Sequence, residues 1–179
     1  MSTFTEKEIE RLRGQPLGRL ATVGRDGSPH VVPVGFRLGP EDETIEVGGH
    51  ALKGSKKWRD LEANPRVAFV IDDLERVDPW TPRGLEVRGR AELHEEGGER
   101  FGEGWGAAWI RILPRRILAW GIEGPAFSAG PGRRALARSA AESVTAELYL
   151  SLTGFSSEST LAHARAVHQT QLLKAVCVA

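Results

Sequence analysis

The chain has 179 residues, 40% of them hydrophobic, and carries 24 Lys+Arg against 24 Asp+Glu, a formal net charge of zero. That length suits one compact domain with a small appendage, and the charge balance argues against nucleic acid, since a duplex-binding protein shows a basic excess or stripe. One cysteine, Cys177, excludes an internal disulfide. No apolar run reaches the ~20 residues of a spanning helix, and the charged opening MSTFTEKEIERL lacks a secretory core, so a cytoplasmic protein without membrane association is expected.

A helix is predicted over 3–13. Thr5 can cap it, Glu8 closes a capping box, and Phe4 and Ile9 sit at hydrophobic-staple positions. Gly14 and Pro16 end it. GRLATV (18–23) and PHVVPVGFRL (29–38) then read as a hairpin turning at Asp26-Gly27. Pro33 marks an edge, a bulge or an open stretch of ladder, because it has no N–H to donate. TIEVGG (44–49) is a third strand, followed by a short helix over 56–63 that Ser55 caps and Asn64-Pro65 ends. RVAFVIDD (66–73) is nearly all apolar and is expected to be buried on both faces. GLEVRGRAELH (84–94) alternates, placing Leu85, Val87, Gly89, Ala91 and Leu93 on one face. Residues 95–109 are glycine-rich and fit no simple period. IRIL (110–113) and RRILAWGIE (115–123) finish the β region on either side of Pro114.

Short strands at hairpin spacing with only small helices predict a mainly β fold, an antiparallel barrel or sandwich. The boundary falls at 124: residues 1–124 form the β domain, GPAFSAGPGRR (124–134) reads as a linker, and 125–179 is linker plus a helical tail over 139–151 and 158–178.

Familiar catalytic motifs are missing. GEGWGA (102–107) is not GxGxxG and does not lead from a strand into a helix; there is no phosphate-binding GxxxxGKS/T and no GxSxG. No His or Cys pair has metal-ligand spacing, and no catalytic acid or base stands out. The sharpest signal is GSKKWRDLEANP (54–65). It sets Lys56 and Lys57 in the first turn of a helix, where the backbone is already partly positive and favours acidic side chains. Two lysines together with free N–H groups form a phosphate-binding arrangement; two solvated surface lysines are the plain alternative.

Three stretches, GRLATVGRDGSPHVVPVGF, GSKKWRDLEANPRVAFVIDD and RGLEVRGRAEL, together resemble the pyridoxamine 5′-phosphate oxidase-like split-barrel flavoproteins. WTPRGLEVRGRAE and IRILPRRILAWGIE resemble the branch that uses the deazaflavin coenzyme F-420. The resemblance covers about residues 5–124. It implies an antiparallel split β-barrel with short flanking helices and a homodimer with a flavin-type cofactor in the interface groove. It also implies hydride transfer to or from a small-molecule substrate. F-420 is favoured and FMN is the alternative; a non-catalytic carrier on the same barrel is a further possibility. By the same resemblance, His30, Val31, Val32, Pro33 and Val34 line the ring with backbone groups and Gly48 is another lining position. Ser55, Lys56 and Lys57 match the phosphate-binding Ser-Arg-Lys pattern, and Trp120 falls near a tryptophan that approaches the cofactor. GIEGPAF stands where the oxidase carries an Arg-His substrate motif, so pyridoxamine phosphate is not the expected substrate. Trp80 either closes over the cofactor across the dimer or anchors a loop. Arg83 either meets an anionic cofactor tail or is a surface arginine.

Overall fold

The computed structural model describes residues 3–124 and 133–135. Its elements are α1 (Glu6–Arg13), β1 (Leu17–Val23), β2 (Pro29–Leu38), β3 (Ile45–Val47), α2 (Lys56–Ala63), β4 (Arg66–Arg76), β5 (Thr81–His94), β6 (Trp109–Trp120) and β7 (Arg133–Ala135). All pairings are antiparallel. The strand order is β3-β2-β1-β4-β5-β6-β7, and β3 also pairs with β6, which closes β1 to β6 into the expected barrel.

Local chemistry sets the helices. Thr5 accepts from the Glu8 N–H and the Glu8 carboxylate accepts from the Thr5 N–H, so α1 starts on a complete capping box. Ser55 caps α2 by accepting from the Trp58 N–H. Trp58 and Leu61 of α2 are buried in the core cluster.

The barrel interior is filled by alternate strand positions: Leu20 and Val34, Ile45 and Val47, Phe69 and Ile71, Leu85 and Val87, Ile110 and Ile112. Burying each such side chain contributes on the order of 1.5–3 kcal/mol. The fit is tight where Phe69 crosses β1, since a Cβ at Gly18 would lie 2.0 Å from the Phe69 Cζ.

Several expectations change. β4 is not buried on both faces: Val67, Phe69 and Ile71 point into the core, while Ala68 and Val70 are only half-buried. The described chain leaves the outer face of β4 uncovered, and antiparallel sheets tolerate that. Residues 110–120 form one strand, not two. Arg88 pairs with Arg116 and Gly89 with Pro114, so Arg115 is extra, and this bulge absorbs the proline without breaking β6. Residues 133–135, inside the linker reading, pair with Leu118, Ile117 and Arg116 of β6. The helices expected over 139–151 and 158–178 lie outside the described residues.

Candidate functional site

Two lysines at the start of α2 have different surroundings. The Lys56 ammonium donates to both carboxylate oxygens of Asp60, at 2.8 and 2.9 Å, one helical turn on. Asp60 also accepts from the Thr22 hydroxyl at 2.8 Å, and both Asp60 and Thr22 are buried. The His30 Nδ1 stands 3.4 Å from that hydroxyl and 3.9 Å from Asp60 Oδ2. The hydrogen bond from Lys56 is the main reason the Asp60 carboxyl titrates below its ordinary value. Lys56 is thus a clamp that ties α2 to β1 through Asp60. Lys57 is half-buried and has no hydrogen-bond or ion-pair partner among the described residues. Desolvation holds its ammonium pKa below the usual lysine value. Lys57 therefore brings an uncompensated cation to a helix end whose first N–H groups have no intrahelical partner, an arrangement suited to an anion such as a phosphate.

On β2 the residues from His30 to Val34 alternate. His30, Val32 and Val34 sit opposite the inward Thr22, Leu20 and Gly18, while Val31 and Pro33 face outward opposite Ala21 and Arg19. Val31 is 60% exposed. Gly48, just beyond β3, is covered by an indole: a Cβ there would lie 2.6 Å from Trp105 Cε3 and 3.3 Å from Phe101 Cγ. The same indole reaches Gly35, at 3.4 Å from a Cβ built there. Trp105 was not singled out from sequence. Its signal is the setting GEGWGA, where glycines let the loop press an aromatic ring onto a strand; Gly102 and Gly104 adopt φ of 147° and 80°.

Trp80, Arg83 and Trp120 lie elsewhere. Thr22 and His30 pair at one end of β1, whereas Arg83 pairs with Asp73 beyond the other end, on the order of 20 Å away at ~3.3 Å per strand residue. Trp80 is 58% exposed in the turn before β5. Arg83 donates to Asp73 at 2.8 Å, and Arg11 of α1 pairs with the same carboxylate. Both interactions pull the Asp73 pKa down to about 2, with Arg83 the larger cause. The Trp120 ring lies across Gly84, where a Cβ would come within 2.3 Å of it. Within one chain the structure brings His30, Ser55, Lys56 and Lys57 together, and it keeps Trp80, Arg83 and Trp120 apart from them.

The closed antiparallel barrel of β1 to β6, with only two short α-helices among the described residues, defines the split-barrel class. The chain belongs to the pyridoxamine 5′-phosphate oxidase family, whose family model matches residues 4–146. It is 47% identical over 121 residues to the 5a,11a-dehydrotetracycline/5a,11a-dehydrooxytetracycline reductase of Streptomyces rimosus, covering 68% of this chain and 85% of that one. Among solved structures it resembles a conserved hypothetical protein of Mycobacterium tuberculosis (TM-score 0.53, 24% identity, 71% of this chain and 92% of that one). It also resembles HupZ of group A Streptococcus (TM-score 0.55, 22% identity, 70% of this chain and all of that one). These structural likenesses speak to the fold alone.

Proposed function

We propose that the protein is an oxidoreductase that holds a flavin-type cofactor by its phosphate at the start of α2 and passes hydride to or from a small organic substrate. The observation that carries this reading is Lys57, a half-buried ammonium with no partner among the described residues, set beside a helix N-terminus. A phosphate there would accept from the free N–H groups and from Lys57. The named activity of the Streptomyces rimosus relative supports a reductase. The resemblance of β5 and β6 to the deazaflavin branch favours coenzyme F-420, with FMN the alternative; both carry a ring system and a phosphate.

When bound, such a cofactor supplies the hydride chemistry. The residues of the chain bind and orient it. Lys57, Ser55 and the α2 N–H groups hold the phosphate, and Lys56 keeps α2 docked through Asp60. Residues His30 to Val34 and Gly48 offer the wall along which the ring lies, with Trp105 bounding it. Trp80 and Trp120, remote from His30 along β1, would meet the His30 end of this wall from a second copy, which fits a homodimer with the cofactor in the interface.

Absorbance titration of the purified protein with F-420 and with FMN tests the proposal. Saturable binding of F-420, tighter than FMN, is expected, followed by turnover on a panel of unsaturated and polyketide-like acceptors. Tighter FMN binding would move the assignment to the FMN alternative. Binding without turnover would favour a carrier, and binding of neither would overturn the reading.

A further inference from the structure

A second cationic feature lies outside the barrel on β2, β3 and β6. The register aligns Arg37 with Glu46, Glu46 with Arg111, and Arg111 with Glu92, giving one row of charges across four strands. Arg100 folds over the row from the turn at Gly98–Phe101. Glu46 is buried at the centre, accepting from Arg37 Nε at 3.0 Å and from an Arg100 terminal nitrogen at 2.9 Å. Those two bonds satisfy the carboxylate. Arg111 stands 3.8 Å from both Glu46 and Glu92, too far for a hydrogen bond, and its buried Nε has no partner. Three guanidiniums against two carboxylates leave one surplus positive charge.

The row borders an open groove of about 490 Å³. Aromatic faces back its cations. Arg37 lies 3.9 Å over Phe101, Arg100 lies 3.9 Å over Trp109, and Arg111 lies 4.8 Å from the Trp109 ring. Stacking on rings holds guanidiniums flat. Arg37 Nη1 also donates to the Arg100 carbonyl and Arg100 Nη1 to the Gly97 carbonyl, so the guanidinium left open to a planar, bidentate acceptor is that of Arg111. If the arginines served only to neutralise Glu46, Arg37 and Arg100 would suffice; Arg111 is held by two long ion pairs, to Glu46 and Glu92, and by no hydrogen bond among the described residues. The volume is in the range that takes a small organic ligand, far more than an inorganic ion fills.

We propose that this groove is an anion site separate from the start of α2, and that it takes a planar organic anion, an aromatic carboxylate or enolate, on Arg111 and the unbonded terminal nitrogen of Arg37. Phe101 stacks 5.8 Å from Trp105, the indole that covers Gly48, so the groove opens next to the proposed ring wall. As a subsite for an anionic substrate it rests on the redox reading; as an anion site it does not.

The experiment uses the full chain and 2-naphthoate as probe, with calorimetry and tryptophan fluorescence as readouts, and 2-naphthamide and inorganic phosphate as comparison arms. Saturable naphthoate binding at least tenfold tighter than naphthamide is expected, with no displacement by phosphate at matched concentration. That comparison needs no variant. Arg111→Gln should weaken naphthoate about tenfold, the loss of one charge-assisted contact, and leave F-420 and FMN binding unchanged. Lys57→Ala should do the reverse. Equal affinity for naphthoate and naphthamide, displacement by phosphate, or naphthoate binding that follows Lys57 in place of Arg111 would each overturn the proposal. Naphthoate binding that survives when neither F-420 nor FMN binds would sink the cofactor reading alone.

Discussion

Neighbouring lysines carry opposite expected phenotypes. Lys57→Ala should weaken F-420 or FMN binding roughly 10- to 100-fold, the loss of a contact to a charged group. The cofactor-free protein should melt no earlier than the parent, because an unpaired, partly desolvated cation beside a positive helix end is gone. Lys56→Ala should instead lower the melting temperature without cofactor, since it leaves the buried Asp60 with only Thr22 as donor. Thermal melts and binding titrations of both variants check this; equal cofactor affinity in the parent and Lys57→Ala would place the phosphate elsewhere. Asp73 supplies a pH dependence. Its folded pKa, about 2, lies below the ordinary 3.8, so its pairing stabilises the fold above about pH 4 and is lost as pH falls through 2. The group is about one-third exposed, and screening leaves a contribution of about 1 kcal/mol. Asp73→Asn should cost about that much in urea melts at pH 7 and only a minor part of it at pH 2, where the folded carboxylate is about half protonated.

Among the elements, β6 depends on a glycine in its neighbour. A Cβ at Gly89 would lie 2.2 Å from the Leu113 carbonyl oxygen, which is backbone and cannot swing aside. Gly89→Ala is expected to destabilise the protein by about 2 kcal/mol or more, read as a lower urea midpoint. An unchanged midpoint would mean the bulge around Arg115 shifts freely. From sequence, the alternation of β5 is legible but the reason for this glycine is not, because it depends on where Pro114 falls in the register. The same division holds throughout. Thr5 with Glu8, and Ser55 before Lys56, are local signals and locate both helices. The Lys56–Asp60 spacing is visible too, yet the Thr22 bond that gives it purpose joins residues 38 apart in sequence. Residues 95–109 fit no period because their conformation follows from distant partners: Arg100 on Glu46 and Trp105 on Gly48.

For the whole molecule, the outer face of β1 and β2 bears on assembly. Leu17 is 52% exposed and Val31 60%, and Pro33 stands beside them in the same outward set. Exposed apolar groups gathered on one face mark an interaction surface. Light scattering is expected to show a dimer at micromolar concentration, and Leu17→Glu should shift it toward monomer while the circular dichroism stays β-rich. A monomeric parent with cofactor still bound would defeat this prediction.

The three-residue strand β3 has a consequence for the order in which the protein forms and opens. β1 with β2, and β4 with β5 and β6, are joined by neighbouring stretches of chain, whereas the closing pairs run from Ile45 to Ile112 and from Val47 to Ile110. Such distant pairings carry the larger loop-closure cost and come late in folding. A late, short seam is also the first to part in the native state. Backbone amides of the β3–β6 seam should therefore exchange with deuterium well before those of β4 and β5. The barrel would breathe along the line where Glu46 holds Arg37 and Arg100, which makes that buried carboxylate the latch of the closed form.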